Sequence, residues 1–496
     1  MAELALGIIG LSGAVELCFK GAKSLIAAAQ DYNQADAKLL ELFTRVHLCW
    51  ARSSSQLDAC RMLESSMSQE QNTVQQQVVM ILHSKLEVAV VALSRLDQYR
   101  QSGKQQKMRF LAMRDLFEQA VSDLEAWQKR SEPRWYELIK MAPQDFNSSL
   151  EGIAASKPKE PGDPARQALK FRRAFESPDS KRPIFASQKS LDSYDKKNIR
   201  HSTVHLGTDL KENKLHIIDT VSSESVTMKD ARNFATKLRE SNPQTFGTMR
   251  CKAIVKLPET ASLAFVFRVP DGFDTVRSMR DLLLNVSAPE SLSMRLEIAR
   301  QLANAVYYIH LYEFVHKNIC PETILNLNVQ GQDLGRSITA LVGFQVLRHV
   351  DGRTNTGKLA SALRLYQHPW RQMINKTAFV MQHDIYSLGV CLLEIGLWES
   401  LLSFEGPTVT PSRTIELNEG HSDPDSVKAK MVALSRGRLR AQMGDKYSMA
   451  VETCLTCFDT DNTTFGDPDE FTDEDGVEVG SSYAAKVLGL INAVCL

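Results

Sequence analysis

Apolar residues return at every third or fourth position through the first 145 residues of the chain. Leu39, Phe43, Val46 and Trp50 form one such series, Val78, Leu82, Leu86 and Leu93 a second, and Met113, Phe117, Val121 and Leu124 a third. That period predicts amphipathic helices whose stripes meet in a common core. No glycine stands between Gly21 and Gly103 and proline is nearly absent, so the helices should be long. Polar stretches such as SSSQ (53–56) and SMSQEQN (66–72) are the expected turns between them. Residues 1–150 therefore read as an all-α helical bundle.

The pattern changes after residue 205. KLHIIDTV (214–221), MRCKAIVKL (249–257) and LAFVFRVP (263–270) read as strands, and helical stretches follow from Met279 onward. Strands first and helices afterwards predict an α+β domain over 206–496, with a sheet-bearing lobe and a helical lobe. Between the two regions, residues 151–205 are rich in Pro, Ser and charge. Positions 151–200 hold 12 Lys and Arg against 7 Asp and Glu, which suggests a basic linker.

Composition adds limits more than assignments. A chain of 496 residues is too long for one ordinary core. Lys plus Arg equals Asp plus Glu at 59 each, so no global field recruits nucleic acid or an acidic membrane. Nine scattered cysteines suit a reducing compartment, and the cytoplasm is the expected location. Cys454 and Cys457 form the single C-x-x-C, with no second pair nearby to complete four zinc ligands, so they read as buried helix cysteines. Asp459, Asp461 and Glu470 fall at calcium-loop positions 1, 3 and 12, but Thr464 stands where the sharp turn needs glycine. No metal and no cofactor is expected.

The stretch FVHKNICPETIL (314–325) resembles the catalytic loop of protein kinases, H-R-D-L-x-P-E-N with an apolar tail. Three other landmarks stand in kinase order: AFVFRVPDG as the hinge between lobes, LVGFQVLR as the D-F-G region, and HDIYSLGVCLLEIGLW as the central helix of the large lobe. YQHPWR lies where the A-P-E segment belongs. Phosphoryl transfer depends on charge placed around the γ-phosphate, and here the resemblance implies losses. Asn318 replaces the carboxylate base, Cys320 the basic residue two positions on, and Thr323 the metal-binding Asn. Gly343 holds the D-F-G Asp position, or Val342 if the register slips by one. Val221 falls where the phosphate lysine should stand, and no G-x-G-x-x-G occurs between 200 and 260. The retained positions, His316, Pro321 and Asp384, are those that brace the loop. Such a domain is a pseudokinase, for which ATP binding is expected to be weak or absent.

The form of these degenerate landmarks is similar to the kinase-like domains of filamentous fungi that follow a HeLo, or prion-inhibition-and-propagation, domain. LALGIIGLSGAVELCFKGAKSLIAAAQDY (4–32) resembles the opening of that companion. The resemblance implies a cell-death or heterokaryon-incompatibility role, with an N-terminal segment released toward a membrane. Leu4, Leu6, Ile8, Ile9, Leu11 and Val15 would supply its apolar area, while Gly7, Gly10 and Gly13 each lower helix stability by up to ~1 kcal/mol relative to Ala. The twelve uncharged residues between Glu3 and Glu16 fall short of the ~20 that a spanning helix requires. With Glu3 as the first charge, no cleaved signal is expected. The sequence thus points to a non-catalytic signalling protein with a protein partner or self-association, conditional membrane contact and no nucleic acid. Two alternatives stay open: an atypical active Ser/Thr kinase, and an interaction scaffold that never meets lipid.

Overall fold

The computed structural model describes residues 10–30, 36–100, 107–156, 163–175, 183–287, 291–329, 337–349, 361–372, 379–406, 408–415, 423–465 and 481–494. The chain divides into two compact units, 1–175 and 176–496. A helical domain is followed by an α+β domain.

The first unit contains α1 (Leu11–Gln30), α2 (Ala37–Leu63), α3 (Gln69–Arg100), α4 (Lys107–Met141), α5 (Phe146–Ser156) and α6 (Pro164–Arg173). The stripes converge as the periodicity requires: Leu39, Phe43 and Val46 of α2, Leu82, Leu86 and Leu93 of α3, and Phe117, Val121 and Leu124 of α4 share one buried cluster with α1. Asp36 caps α2 by accepting the Leu39 N–H at 2.8 Å. Ser68 and Gln71 exchange bonds of 3.0 and 3.2 Å in a capping box at the start of α3, so the turn expected near 66–72 is present.

The other expected turn is absent. Ser53, Ser54 and Ser55 lie buried inside α2. The Ser53 hydroxyl donates to the Cys49 carbonyl at 3.0 Å and Ser54 to Ala51 at 3.1 Å, so the helix itself satisfies both groups. The expected linker is also largely folded. Asp163 caps α6 through the Ala165 N–H at 3.1 Å with Pro164 in the first turn, a local start signal inside a segment that reads as tether. Arg172, one of the supposed linker cations, is buried and donates to Ile139, Ala142 and Pro143 carbonyls at 2.5, 2.8 and 2.7 Å. It thereby satisfies the Ile139 carbonyl in the last turn of α4, which Pro143 cannot bond for want of an N–H, and reaches the carbonyls of the two residues that follow the helix.

In the second unit β1 (Phe185–Ala186), β2 (Tyr194–Asn198), β3 (His205–Asp209), β4 (Lys214–Ser222), β5 (Arg250–Leu257) and β6 (Ser262–Arg268) form a sheet of order β1-β5-β6-β4-β3-β2. β1 pairs parallel to β5 and the other pairs are antiparallel. The three strands read from the sequence match β4, β5 and β6 closely. Helices α7 (Met228–Lys237) and α8 (Pro243–Phe246) lie between β4 and β5 in the chain. β7 (Thr275–Ser278), α9 (Met279–Asn285), α10 (Leu292–Leu311), β8 (Phe314–Val315), β9 (Ile324–Asn328) and β10 (Ile338–Leu341) follow. β7, β9 and β10 make a second small sheet. After β11 (Arg348–His349) comes α11 (Met381–Leu397), buried along its whole length, and then α12 (Pro424–Leu434), α13 (Arg440–Leu455) and α14 (Ser481–Asn492).

Cys454 and Cys457 are buried as expected, with Cys454 packed so closely on Gly389 of α11 that an added Cβ there would lie 2.6 Å from it. Glu470 of the acidic stretch lies outside the described residues.

Candidate functional site

The loop from His316 to Thr323 is held by a carboxylate that never reaches solvent. Asp384, in the first turn of α11, accepts the N–H groups of His316 and Lys317 at 2.7 and 2.8 Å and pairs with His310 Nε2 at 3.1 Å. Burial opposes its charge, yet His310 and these N–H groups hold its carboxyl below the usual range. His316 Nε2 donates to the Val342 carbonyl at 3.0 Å while Nδ1 accepts the Asn318 N–H at 3.2 Å. Burial takes this imidazole down to about 4, so it is neutral and structural at physiological pH. Pro321 is buried at the first position of a short 3-10 turn, Pro321–Thr323, and the buried Cys320 thiol is pushed well up by desolvation.

Asn318 is spent on neighbours. Its Nδ2 donates to Gln345 Oε1 at 2.7 Å and approaches the Gly343 carbonyl at 3.3 Å. Thr323 Oγ1 lies 2.9 Å from both the Asn318 and the Cys320 carbonyl oxygens and accepts the Cys320 N–H at 3.2 Å, knotting the loop on itself. Gly343 sits at φ 83°, a conformation that favours glycine. A Cβ built on it would stand 2.8 Å from Thr323 Cβ and closer still to its methyl.

From the sheet side, the residue that reaches this segment is Asp219 of β4. It is fully buried, and Oδ2 accepts the N–H groups of Gly343 at 3.0 Å and Phe344 at 2.8 Å, while Oδ1 takes Gln345 Nε2 at 3.3 Å. Burial raises its carboxyl to about 6, against the lowering effect of the Phe344 and Gly343 N–H groups. Val221, expected from the sequence at the phosphate-lysine position, is a fully buried apolar residue paired with Leu263 of β6. The side chain facing the 343–345 segment therefore lies one strand period earlier, and it is an acid. Phe344 packs on Phe234 of α7, His316 and Phe267 at ring separations of 4.6, 5.1 and 5.7 Å.

The turn between β2 and β3, residues 199–204, closes down on these loops. Ser202 Oγ donates to the Glu322 carbonyl at 2.7 Å, Gln345 Nε2 donates to Thr203 Oγ1 at 2.8 Å, and Ser278 Oγ donates to the Arg200 carbonyl at 2.6 Å. Behind the loop, Arg280 of α9 is fully buried. It donates to Glu322 at 2.9 Å, Glu394 at 2.7 Å and Ser400 at 2.7 Å, and also bonds Tyr366, which in turn donates to Glu394 at 2.8 Å. Burial works against the guanidinium charge, but Glu394, Tyr366 and Glu322 outweigh it.

The carboxylates of this region are thus committed: Asp384 to the loop backbone, Asp219 to the 343–345 segment, Glu322 and Glu394 to Arg280. None is aligned as a general base beside Asn318. Among the described residues, no group of three or more His, Cys, Asp or Glu is arranged to hold a metal ion. Asp219, Gln345, Thr203 and Arg280 are not among the positions that the sequence singles out. Only Asp219 left a local signal, as an ionisable residue inside the apolar run IIDTV; the others are joined to partners across tens of residues.

Of the supposed membrane segment, Leu4, Leu6, Ile8 and Ile9 lie outside the described residues. Leu11 and Val15 are 2% and 0% exposed in α1, inside the bundle core. Ser12 near the start of α1 bonds Glu64 through its hydroxyl and through its N–H at 3.2 Å.

Comparison with known proteins finds no match, either to a family model or to a curated protein.

Proposed function

We propose that residues 206–496 form a degenerate protein-kinase-like domain without phosphotransfer activity, coupled to a HeLo-like helical domain, and that the chain is a signalling protein of the cytoplasm acting through protein contacts. One observation carries this reading. The two positions that would hold magnesium, 323 and 343, exclude each other sterically, since Thr323 fills the volume that a side chain on Gly343 would need. Asp219 supports it by placing a carboxylate opposite the 343–345 segment, where a kinase uses a lysine to attract phosphate. The strand order also suits it: β4 is the third strand of an antiparallel run and α7 follows it, as the kinase lysine strand is followed by its partner helix.

The HeLo-like part rests on the N-terminal pattern and on the burial of Leu11 and Val15, which makes any membrane contact conditional on release. In fungi such a pairing would serve a cell-death or heterokaryon-incompatibility response. The test is thermal unfolding of the full chain with ATP, with and without magnesium, beside a radiolabel transfer assay. Unchanged melting and no transfer are expected, because a ligand that bound the native state would raise its stability by mass action. Magnesium-dependent transfer above a heat-killed control would replace this reading with that of an atypical active kinase.

A further inference from the structure

We infer that Thr203 is a phosphorylation site whose modification releases the 199–204 turn from the loops it covers. The turn is anchored at both ends, since Ile199 and Val204 are buried, and between them it touches three separate segments through Arg200, Ser202 and Thr203. Two of these three links are made by side-chain hydroxyls of the turn itself. The Ser202 hydroxyl is partly buried and committed to the Glu322 carbonyl. Thr203 is exposed, and its hydroxyl oxygen is the acceptor for Gln345.

The surroundings suit a basophilic Ser/Thr kinase, for which cations preceding the hydroxyl provide charge recognition. Arg200 precedes Thr203 by three residues with its side chain 69% exposed, and Lys197 precedes it by six at 70%. In the reaction the γ-phosphoryl group of ATP passes to Thr203 Oγ1, the hydroxyl proton goes to the modifying kinase's base, and ADP leaves.

A phosphate adds about −1.5 to −2 charge at neutral pH. At 2.8 Å from Thr203 Oγ1, Gln345 Nε2 occupies ground the phosphate requires, so the amide must retreat. The same amide also bonds Asn318 and Asp219, and the new charge would stand one side chain away from the buried Asp219 carboxylate. Retreat of Gln345 therefore loosens the 343–345 segment as well as the turn. None of these contacts depends on the kinase-like reading, so failure of the phosphotransfer assay above and failure of this one are separate outcomes.

The full chain is incubated with ATP and the catalytic subunit of a cyclic-AMP-dependent protein kinase, and phosphate is located by mass spectrometry. Incorporation at Thr203 is expected, with loss of that phosphopeptide in Thr203→Ala. Hydrogen exchange is then compared between the modified and unmodified chains. Amides of 199–204 and 343–345 should exchange about tenfold faster, the effect of losing roughly one net hydrogen bond. Thr203→Val, which removes only the acceptor for Gln345, should show a smaller increase in the same segments. Phosphate placed elsewhere with Thr203 unmodified, or phospho-Thr203 with unchanged or slower exchange, overturns the inference.

Discussion

Thr323 and Gly343, twenty residues apart in the chain, are packed so that the first occupies the side-chain space of the second. Gly343→Asp therefore meets both a clash and the strain of a non-glycine residue at φ 83°. It should destabilise the chain by about 2–4 kcal/mol, since each effect alone is worth about 1–3 kcal/mol. Thr323→Ala should recover at least ~1 kcal/mol of that loss, as expected for coupled neighbours. Denaturant titration of the two single variants and the double variant measures the coupling; strictly additive values would show that the two sites do not compete.

Asn318→Asp should create no phosphotransfer. It would turn a donor into an acceptor facing Gln345 Oε1 at 2.7 Å and the Gly343 carbonyl at 3.3 Å, without supplying any metal ligand at 343. A stability loss of about 1–3 kcal/mol is expected from the unmatched polar groups. Turnover in this single variant, read by radiolabel transfer, would mean that another acid binds magnesium.

Asp219 should make stability depend on pH in a defined direction. Its carboxyl is raised to about 6 in the folded chain, against about 3.9 when unfolded, so the native state holds the proton more tightly between those values. The stabilising contribution is complete below pH ~4 and is lost as pH rises through ~6, an effect of about 3 kcal/mol. Asp219→Asn removes this titration. The stability difference between the parent chain and the variant, measured from pH 4 to 7, should move by that amount against the parent; a difference that stays flat with pH would contradict the burial argument.

Release of α1 should be the condition for membrane binding. Exposing Leu11 and Val15 forfeits about 1.5–3 kcal/mol each, so the resting chain should not float with anionic liposomes. Glu64→Ala removes the acceptor for the Ser12 N–H at the start of α1 and should increase flotation. A deletion lacking residues 2–16 should abolish it. A Glu64→Ala chain that floats equally well with and without residues 2–16, or that never floats, would favour the scaffold reading in place of the membrane one.

Pattern alone carried a good part of the architecture. Helical period placed Leu39, Phe43, Leu86, Phe117 and Val121 in one core, and runs of β-branched and aromatic residues located β4, β5 and β6. These are local regularities, so a single stretch of chain contains the information. The resemblance also picked out His316 and Asp384, which the fold brings into one braced loop. Composition misled where a polar residue finds its partner inside the fold: Ser53 bonds its own helix, and Arg172 closes the end of α4.

What the sequence by itself determined about this protein is its division into a helical and an α+β region, its principal stripes, and the uncharged residues at 318, 323 and 343. Only the tertiary structure decided which groups surround those positions. Asp219 meets Gly343 and Phe344 across more than a hundred residues, Thr203 meets Gln345 across a similar span, and Arg280 gathers Glu322 and Glu394 from two distant elements. Such pairings have no period and no local signature. They exist because a buried polar group must find a partner, and which partner it finds depends on which backbone the fold brings within about 3 Å.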